Sequence, residues 1–178
     1  KECWGVIALL FCVVVSIYGG IFTVNEAAAL GAGLAFAFAL ARRNMVDGQL
    51  RPNRVTNSQL LAVIVALPRE KFLPDGLRSV AYSDEDVPLG NGRFLMEPMV
   101  LARLIQTLQP RETDRALVVA SGRGYGAALL ARLVKSVVAV ESDAALVAAA
   151  ERTAKDLALT GIEGKMFQPM ARTVIFAL

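Results

Sequence analysis

Histidine is missing from all 178 residues. Its absence removes Ser-His-Asp and Cys-His nucleophilic catalysis, and with them histidine-ligated metal sites. Cysteine is nearly missing as well. Cys3 and Cys12 lie in or beside an apolar run and match no metal-ligand spacing, so they read as small core or lipid-facing residues rather than as a disulfide. No metal site is expected. Charged residues make up only 20% of the chain, against roughly 25% in soluble domains. The net charge is +3 and the basic residues are scattered. A nucleic-acid surface would gather them on one face, so no nucleic-acid partner is expected. The first residue is lysine rather than methionine, as in a fragment or a processed product.

What the chain has in excess is apolar surface: 55% of its residues are hydrophobic and the mean hydropathy is +0.50. The surplus sits in residues 1–41. Gly5 to Phe22 carries no charge over eighteen residues, which as a helix would be about 27 Å long, close to a bilayer's hydrocarbon thickness. Ala27 to Ala41 is a second uncharged run, and Thr23-Val-Asn-Glu26 between the two is a capping box that starts a helix just after Thr23. Residues 1–41 are therefore expected to form an apolar helical hairpin that enters a membrane through residues 5–41 or packs as buried helices. Arg42 and Arg43 follow, and on the positive-inside rule they place the rest of the chain in the cytoplasm. No basic region precedes the first run, so it is not a secretory signal peptide.

The only pattern that points to a small-molecule site lies further on. Ala116-Leu-Val-Val-Ala-Ser-Gly-Arg-Gly-Tyr-Gly126 is an apolar strand running into a glycine turn and a helix, and Val137-Val-Ala-Val-Glu141 is a second strand ending in a carboxylate. Gly122 and Glu141 are nineteen positions apart, near the roughly 20 of a βαβ unit that grips an adenosine-type cofactor. Glycines let the backbone approach the ligand, the helix N-terminus offers N–H groups, and the acid accepts from the ribose hydroxyls.

Between residue 44 and this unit the composition is that of a soluble protein. Thr56-Asn-Ser-Gln59 reads as a capping box for a short helix over Leu60 to Leu67, stopped by Pro68. Pro68 to Pro74 reads as a proline-bounded connector, and Ala81 to Gly92 as a loop or irregular hairpin. Pro98 opens a helix to about Gln109, with Met99, Leu101, Leu104, Ile105 and Leu108 on or near its buried face. Ser142 or Asp143 caps a last helix reaching about Leu157. Asp84, Glu85 and Asp86 read as a solvated acidic loop, and Glu97 as an acid at a helix N-terminus.

Met45-Val-Asp-Gly-Gln-Leu50, Pro68-Arg-Glu-Lys-Phe-Leu-Pro74, Ala81-Tyr82, Val87-Pro-Leu-Gly90, Glu97-Pro98 and the glycine loop with Glu141 occur in an order that resembles protein-L-isoaspartate (D-aspartate) O-methyltransferases over residues 42–158. The resemblance implies an α/β fold, a partial Rossmann-like class I methyltransferase core in which an incomplete parallel sheet is flanked by helices. It also implies S-adenosylmethionine as cofactor, held by Ala120, Ser121, Gly122, Gly124, Tyr125 and Glu141, and a protein or peptide isoaspartyl carboxylate as substrate. Two departures stand out. The family's E-x-G-x-G-x-G loop reads Val118-Val-Ala-Ser-Gly-Arg-Gly124, with Val118 for the acid, Ala120 for the first glycine, and Arg123 at a small or neutral position, where it reads as pointing to solvent. The family's G-x-G-Q-T-I-S-Q-P motif reads Gly90-Asn-Gly-Arg-Phe-Leu-Met-Glu-Pro98, which puts Met96 at the active-site serine. The catalytic residue is thereby unassigned, and activity is expected to be degenerate.

Two shorter resemblances flank this core. Ile17 to Ala29 resembles the large permease of tripartite ATP-independent periplasmic transporters, with Val24 for a proline. Residues 159–178 resemble a segment of heavy-metal efflux pumps of the resistance-nodulation-division class. A chain of segments 1–41, 42–158 and 159–178 would be chimeric, and the alternative to an enzyme is a membrane-anchored, transporter-derived fragment or artificial chimera. Within the methyltransferase reading, the tail instead supplies a short third strand at Lys165 to Gln168 and a fourth at Thr173 to Leu178.

Overall fold

The computed structural model describes residues 24–90, 92–159 and 168–169. The chain divides into two compact units, Lys1–Leu40 and Ala41–Leu178. Helix α1, Val24–Met45, covers the second apolar run and begins where the capping box placed it. Thr23 and the first run, residues 5–22, lie outside the described residues, so the hairpin's first arm does too. Leu30, Leu34, Phe36 and Leu40 of α1 are exposed. No helix of the described residues is long and apolar enough to cross a membrane, and α1 does not supply the membrane span expected of residues 5–41.

The second unit begins on the end of α1 and a π-helical turn, Val46–Leu50, which buries Val46 and Leu50. Helix α2 follows at Ser58–Ala66. Its cap is one residue later than the sequence motif suggests. Asn57, not Thr56, accepts from the Leu60 N–H at 2.9 Å, because the N–H groups of Thr56 and Asn57 both donate to the Gln106 side-chain oxygen, at 2.7 and 2.9 Å. The proline-bounded connector is more regular than expected. Arg69–Phe72 and Asp75–Val80 each form a 3₁₀ segment.

Strands β1, Val87–Gly90, and β2, Arg93–Leu95, form an antiparallel hairpin with an irregularity between Pro88 and Gly90. Helix α3, Pro98–Leu108, has its proline in the first turn, where the missing N–H costs nothing, and ends at Gln109 in the left-handed conformation. Its buried residues are Pro98, Ala102 and Ile105. Met99 and Leu101 pack against the core from its margin, whereas Leu104 and Leu108 are exposed. The buried face of α3 is therefore narrower than its apolar spacing predicts.

Strand β3, Arg115–Val119, helix α4, Tyr125–Leu130, and strand β4, Ser136–Glu141, make the βαβ unit. The two strands are parallel, in register from Arg115↔Ser136 to Val119↔Val140. Helix α5, Ala144–Asp156, is capped by Asp143, which accepts from the N–H groups of Ala145 and Leu146. The sheet order is β3-β4-β5, with β5 at Gln168–Pro169 pairing parallel to the end of β4. A third strand thus exists, overlapping the proposed Lys165–Gln168 strand only at Gln168; the fourth lies outside the described residues.

The core of this unit joins α2, the 3₁₀ segments, α4 and β4 through Leu60, Leu67, Phe72, Leu129 and Val137. One sheet face is less well covered, for Leu117 and Val119 of β3 and Val138 of β4 are exposed.

Candidate functional site

The glycine turn follows β3 and leads directly into α4. Ala120, Gly122 and Gly124 all have positive φ, at 55°, 58° and 88°. That conformation is free for glycine but costs about 1 kcal/mol or more for a residue with a Cβ, so Ala120 carries a strain that the family's glycine would not. The Ser121 N–H donates to the Val140 carbonyl at 3.2 Å, tying the turn to the neighbouring strand, and the Gly124 N–H donates to the Ser121 carbonyl at 2.9 Å. The Ser121 hydroxyl is buried and has no partner. A Cβ on Gly122 would come within 3.4 Å of Leu89 Cδ1, so the β1–β2 hairpin closes one side of the turn.

Glu141 stands behind this turn, nearly inaccessible at 1% exposure. Its Oε2 accepts from the Gly122 N–H at 2.9 Å. Its Oε1 accepts from the N–H groups of Ser142 and Asp143 at 2.7 and 3.1 Å, and from the Ser142 hydroxyl at 3.3 Å. Arg93, on the hairpin, adds a fifth donor through Nη2 at 2.9 Å and reaches the Ser142 hydroxyl at 3.1 Å. Burial alone would raise the Glu141 carboxyl, but the N–H groups of Gly122, Asp143 and Ser142, together with Arg93, hold it below the usual carboxylate range. The acid is ionised and fully engaged, and a carboxylate offers only about four lone-pair sites. A ribose hydroxyl donating to it would have to displace one donor. Arg93 is the one that belongs to the hairpin rather than to the turn or β4.

Tyr125 lies at the turn in sequence, but its side chain is buried in the core. It packs edge-on against Phe72 with ring centroids 5.3 Å apart, under the Arg69 guanidinium at 4.9 Å. Burial pushes its phenol up. Only the backbone of Tyr125, as the first residue of α4, is left to a ligand at the turn.

Arg69 went unnoticed in the sequence and is central to the second half of the site. It is fully buried. Its Nε donates to the Ala81 carbonyl and its Nη2 to the Met96 carbonyl, each at 2.7 Å. Burial pulls the guanidinium below its ordinary range, while Tyr125, Tyr82 and Asp86 act in the other direction. The backbone at the family's serine position is thus fixed, although the exposed Met96 side chain brings no hydroxyl there. Asp86 anchors the next residue by accepting from the Glu97 N–H at 2.7 Å. Glu97 is the N-cap residue of α3 and makes no side-chain capping bond. Asp84, Glu85 and Asp86 are exposed, and no acidic group among the described residues could hold a metal ion.

The pattern of the protein-L-isoaspartate (D-aspartate) O-methyltransferase family matches residues 41–169. The chain belongs to that family. The match runs past residue 158 and takes in much of the stretch that resembled an efflux pump, in keeping with β5 as part of the methyltransferase sheet. The comparisons give no support to the permease and efflux-pump resemblances. A protein-L-isoaspartate O-methyltransferase of Rhodopseudomonas palustris is 38% identical over 96 residues, which are 54% of this chain and 39% of that protein. One from Methanoculleus marisnigri is 37% identical over 123 residues, 69% of this chain and 54% of its own length. The chain therefore spans about half the length, or less, of these two curated methyltransferases. Among solved structures, a Plasmodium falciparum protein assigned as a β-aspartate methyltransferase, in complex with S-adenosyl-L-homocysteine, aligns with a TM-score of 0.57 at 19% identity. That alignment covers 71% of this chain and 62% of the other. It supports the class I methyltransferase fold of the second unit.

Proposed function

We propose that this member of the methyltransferase family binds S-adenosylmethionine through Ser121, Gly122, Gly124 and Glu141, with Ala120 and the Tyr125 backbone bounding the turn, and that its transfer to isoaspartyl carboxylates of proteins or peptides is degenerate. The carrying observation is the 2.9 Å bond from the Gly122 N–H to Glu141, which fixes the acid and the turn in one arrangement before any ligand arrives. The unpartnered Ser121 hydroxyl beside it adds a polar group suited to a nucleoside or amino-acid ligand. The bound cofactor would supply an electrophilic methyl group on sulfonium sulfur, and the protein's task is positioning. At the acceptor end, Arg69 holds the backbone of the serine position, but the Met96 side chain offers no donor to orient a carboxylate. We place the leading boundary of this core near residue 41, after an apolar segment of separate character.

Titration calorimetry with S-adenosylhomocysteine tests the reading. Saturable binding is expected, weakened at least about tenfold in Glu141→Gln by loss of a charged acceptor. Arg93→Gln, which restores the family's residue, should tighten binding about fivefold by removing the competing partner of Glu141. No heat at millimolar ligand, with the variants' circular dichroism matching the parent's, would reject cofactor binding.

A further inference from the structure

A separate cavity of about 380 Å³ opens between α5 and the 3₁₀ segments, lined by Lys71, Arg78, Arg123 and Arg152 with Asp75 and Asp156. Its volume is in the range of small-molecule sites, roughly 300–1,000 Å³. Arg123, expected from the sequence to point into solvent, does not. It is half-buried and reaches from the glycine turn into this cavity.

Four cations face two carboxylates here, and Asp75 is already committed to Arg78 at 2.7 Å. Among the described residues, Lys71, Arg123 and Arg152 take part in none of the ion pairs. The Nε atoms of Arg78 and Arg123 are both buried without an acceptor. A solvated basic surface would leave such donors to water, whereas buried donors are ordinarily paired. Burial, followed by repulsion from Arg152 and Arg78, pulls the Arg123 guanidinium below its ordinary range against the attraction of Asp75. Every one of these features would be relieved by an anion in the cavity.

We propose that this cavity binds a small phosphate-bearing anion. Three of the four cations are arginines, whose planar donor forks match phosphate oxygens two at a time, while the lysine adds a point charge. The site shares the glycine turn only through Arg123, which is not one of the residues proposed to hold the cofactor, and its test is therefore read separately from cofactor binding.

The test is calorimetry with inorganic phosphate and with glycerol phosphate, each against chloride at matched ionic strength. Saturable binding of phosphate is expected. Arg152→Gln, an exposed helix position, should weaken it about tenfold, the effect of one charge-assisted hydrogen bond. Arg132→Gln, an exposed arginine that does not line the cavity, should leave it unchanged. Tighter binding of the ester than of free phosphate would support the site and identify a phosphomonoester as its ligand; equal binding would support it with the phosphoryl group alone as the ligand. The proposal is overturned if phosphate binds no better than chloride, or if the two variants weaken it equally. It is also overturned as a separate site if Arg152→Gln weakens S-adenosylhomocysteine to the same degree.

Discussion

Arg69→Met is expected to reduce the unfolding free energy by about 4 kcal/mol, a large part of the 5–15 kcal/mol that holds a domain together. Methionine fills much of the volume but donates nothing. The Ala81 and Met96 carbonyls, bonded at 2.7 Å in the parent through a buried and a part-buried contact, would lose their donors, at about 1–3 kcal/mol each and least at Met96, where water can reach. The stacking on Tyr125, with the guanidinium 4.9 Å from the ring, is lost as well. Arg69→Lys should recover only part of this, because one ammonium cannot replace a planar fork that bridges two carbonyls. Urea denaturation of the second unit in the full chain measures the effect, and a loss under about 1 kcal/mol would show that Arg69 is not the strut described here.

Glu70→Leu should be nearly as damaging, at about 3 kcal/mol, because it leaves Arg42 buried without its partner. The two side chains are 8% and 12% exposed and lie 3.2 Å apart, so solvent screens the pair little. Arg42 also donates to the Val65 carbonyl at 3.0 Å and to the Tyr82 hydroxyl at 2.9 Å, and that hydroxyl donates in turn to Glu70. Burial and this bond to the carboxylate push the Tyr82 phenol up. The double variant Arg42→Met/Glu70→Leu should recover half or more of the loss, since no lone charge is then left buried. Additive losses in the double-mutant cycle would refute the coupling.

These two expectations rest on contacts that periodicity and motifs do not reveal. Arg42 and Glu70 are 28 positions apart, and Arg93 and Glu141 are 48 apart. The local grammar was legible where a short-range rule was also the strongest force. Pro98 opens α3, Asp143 caps α5, and the glycine turn joins β3 to α4 as the spacing required. It misled where a distant partner won. Gln106 took the N–H groups at Thr56 and Asn57 and moved the α2 cap by one residue. Leu104 and Leu108 satisfied the helical pattern of α3 and still lie exposed, because amphipathic spacing identifies a face but not how much of it a neighbour covers. Tyr125 followed the same logic in reverse. It sits in the motif, yet its ring belongs to the core.

The hairpin has a consequence for speed as well as affinity. Leu89 flanks Gly122 and Arg93 holds Glu141, so the same few hairpin residues must shift before a nucleoside hydroxyl can reach the acid beside the turn. Association would then be limited by a unimolecular step, and in stopped-flow mixing its rate would level off as ligand concentration rises. A strictly linear rise would mean that the hairpin yields faster than the ligand arrives.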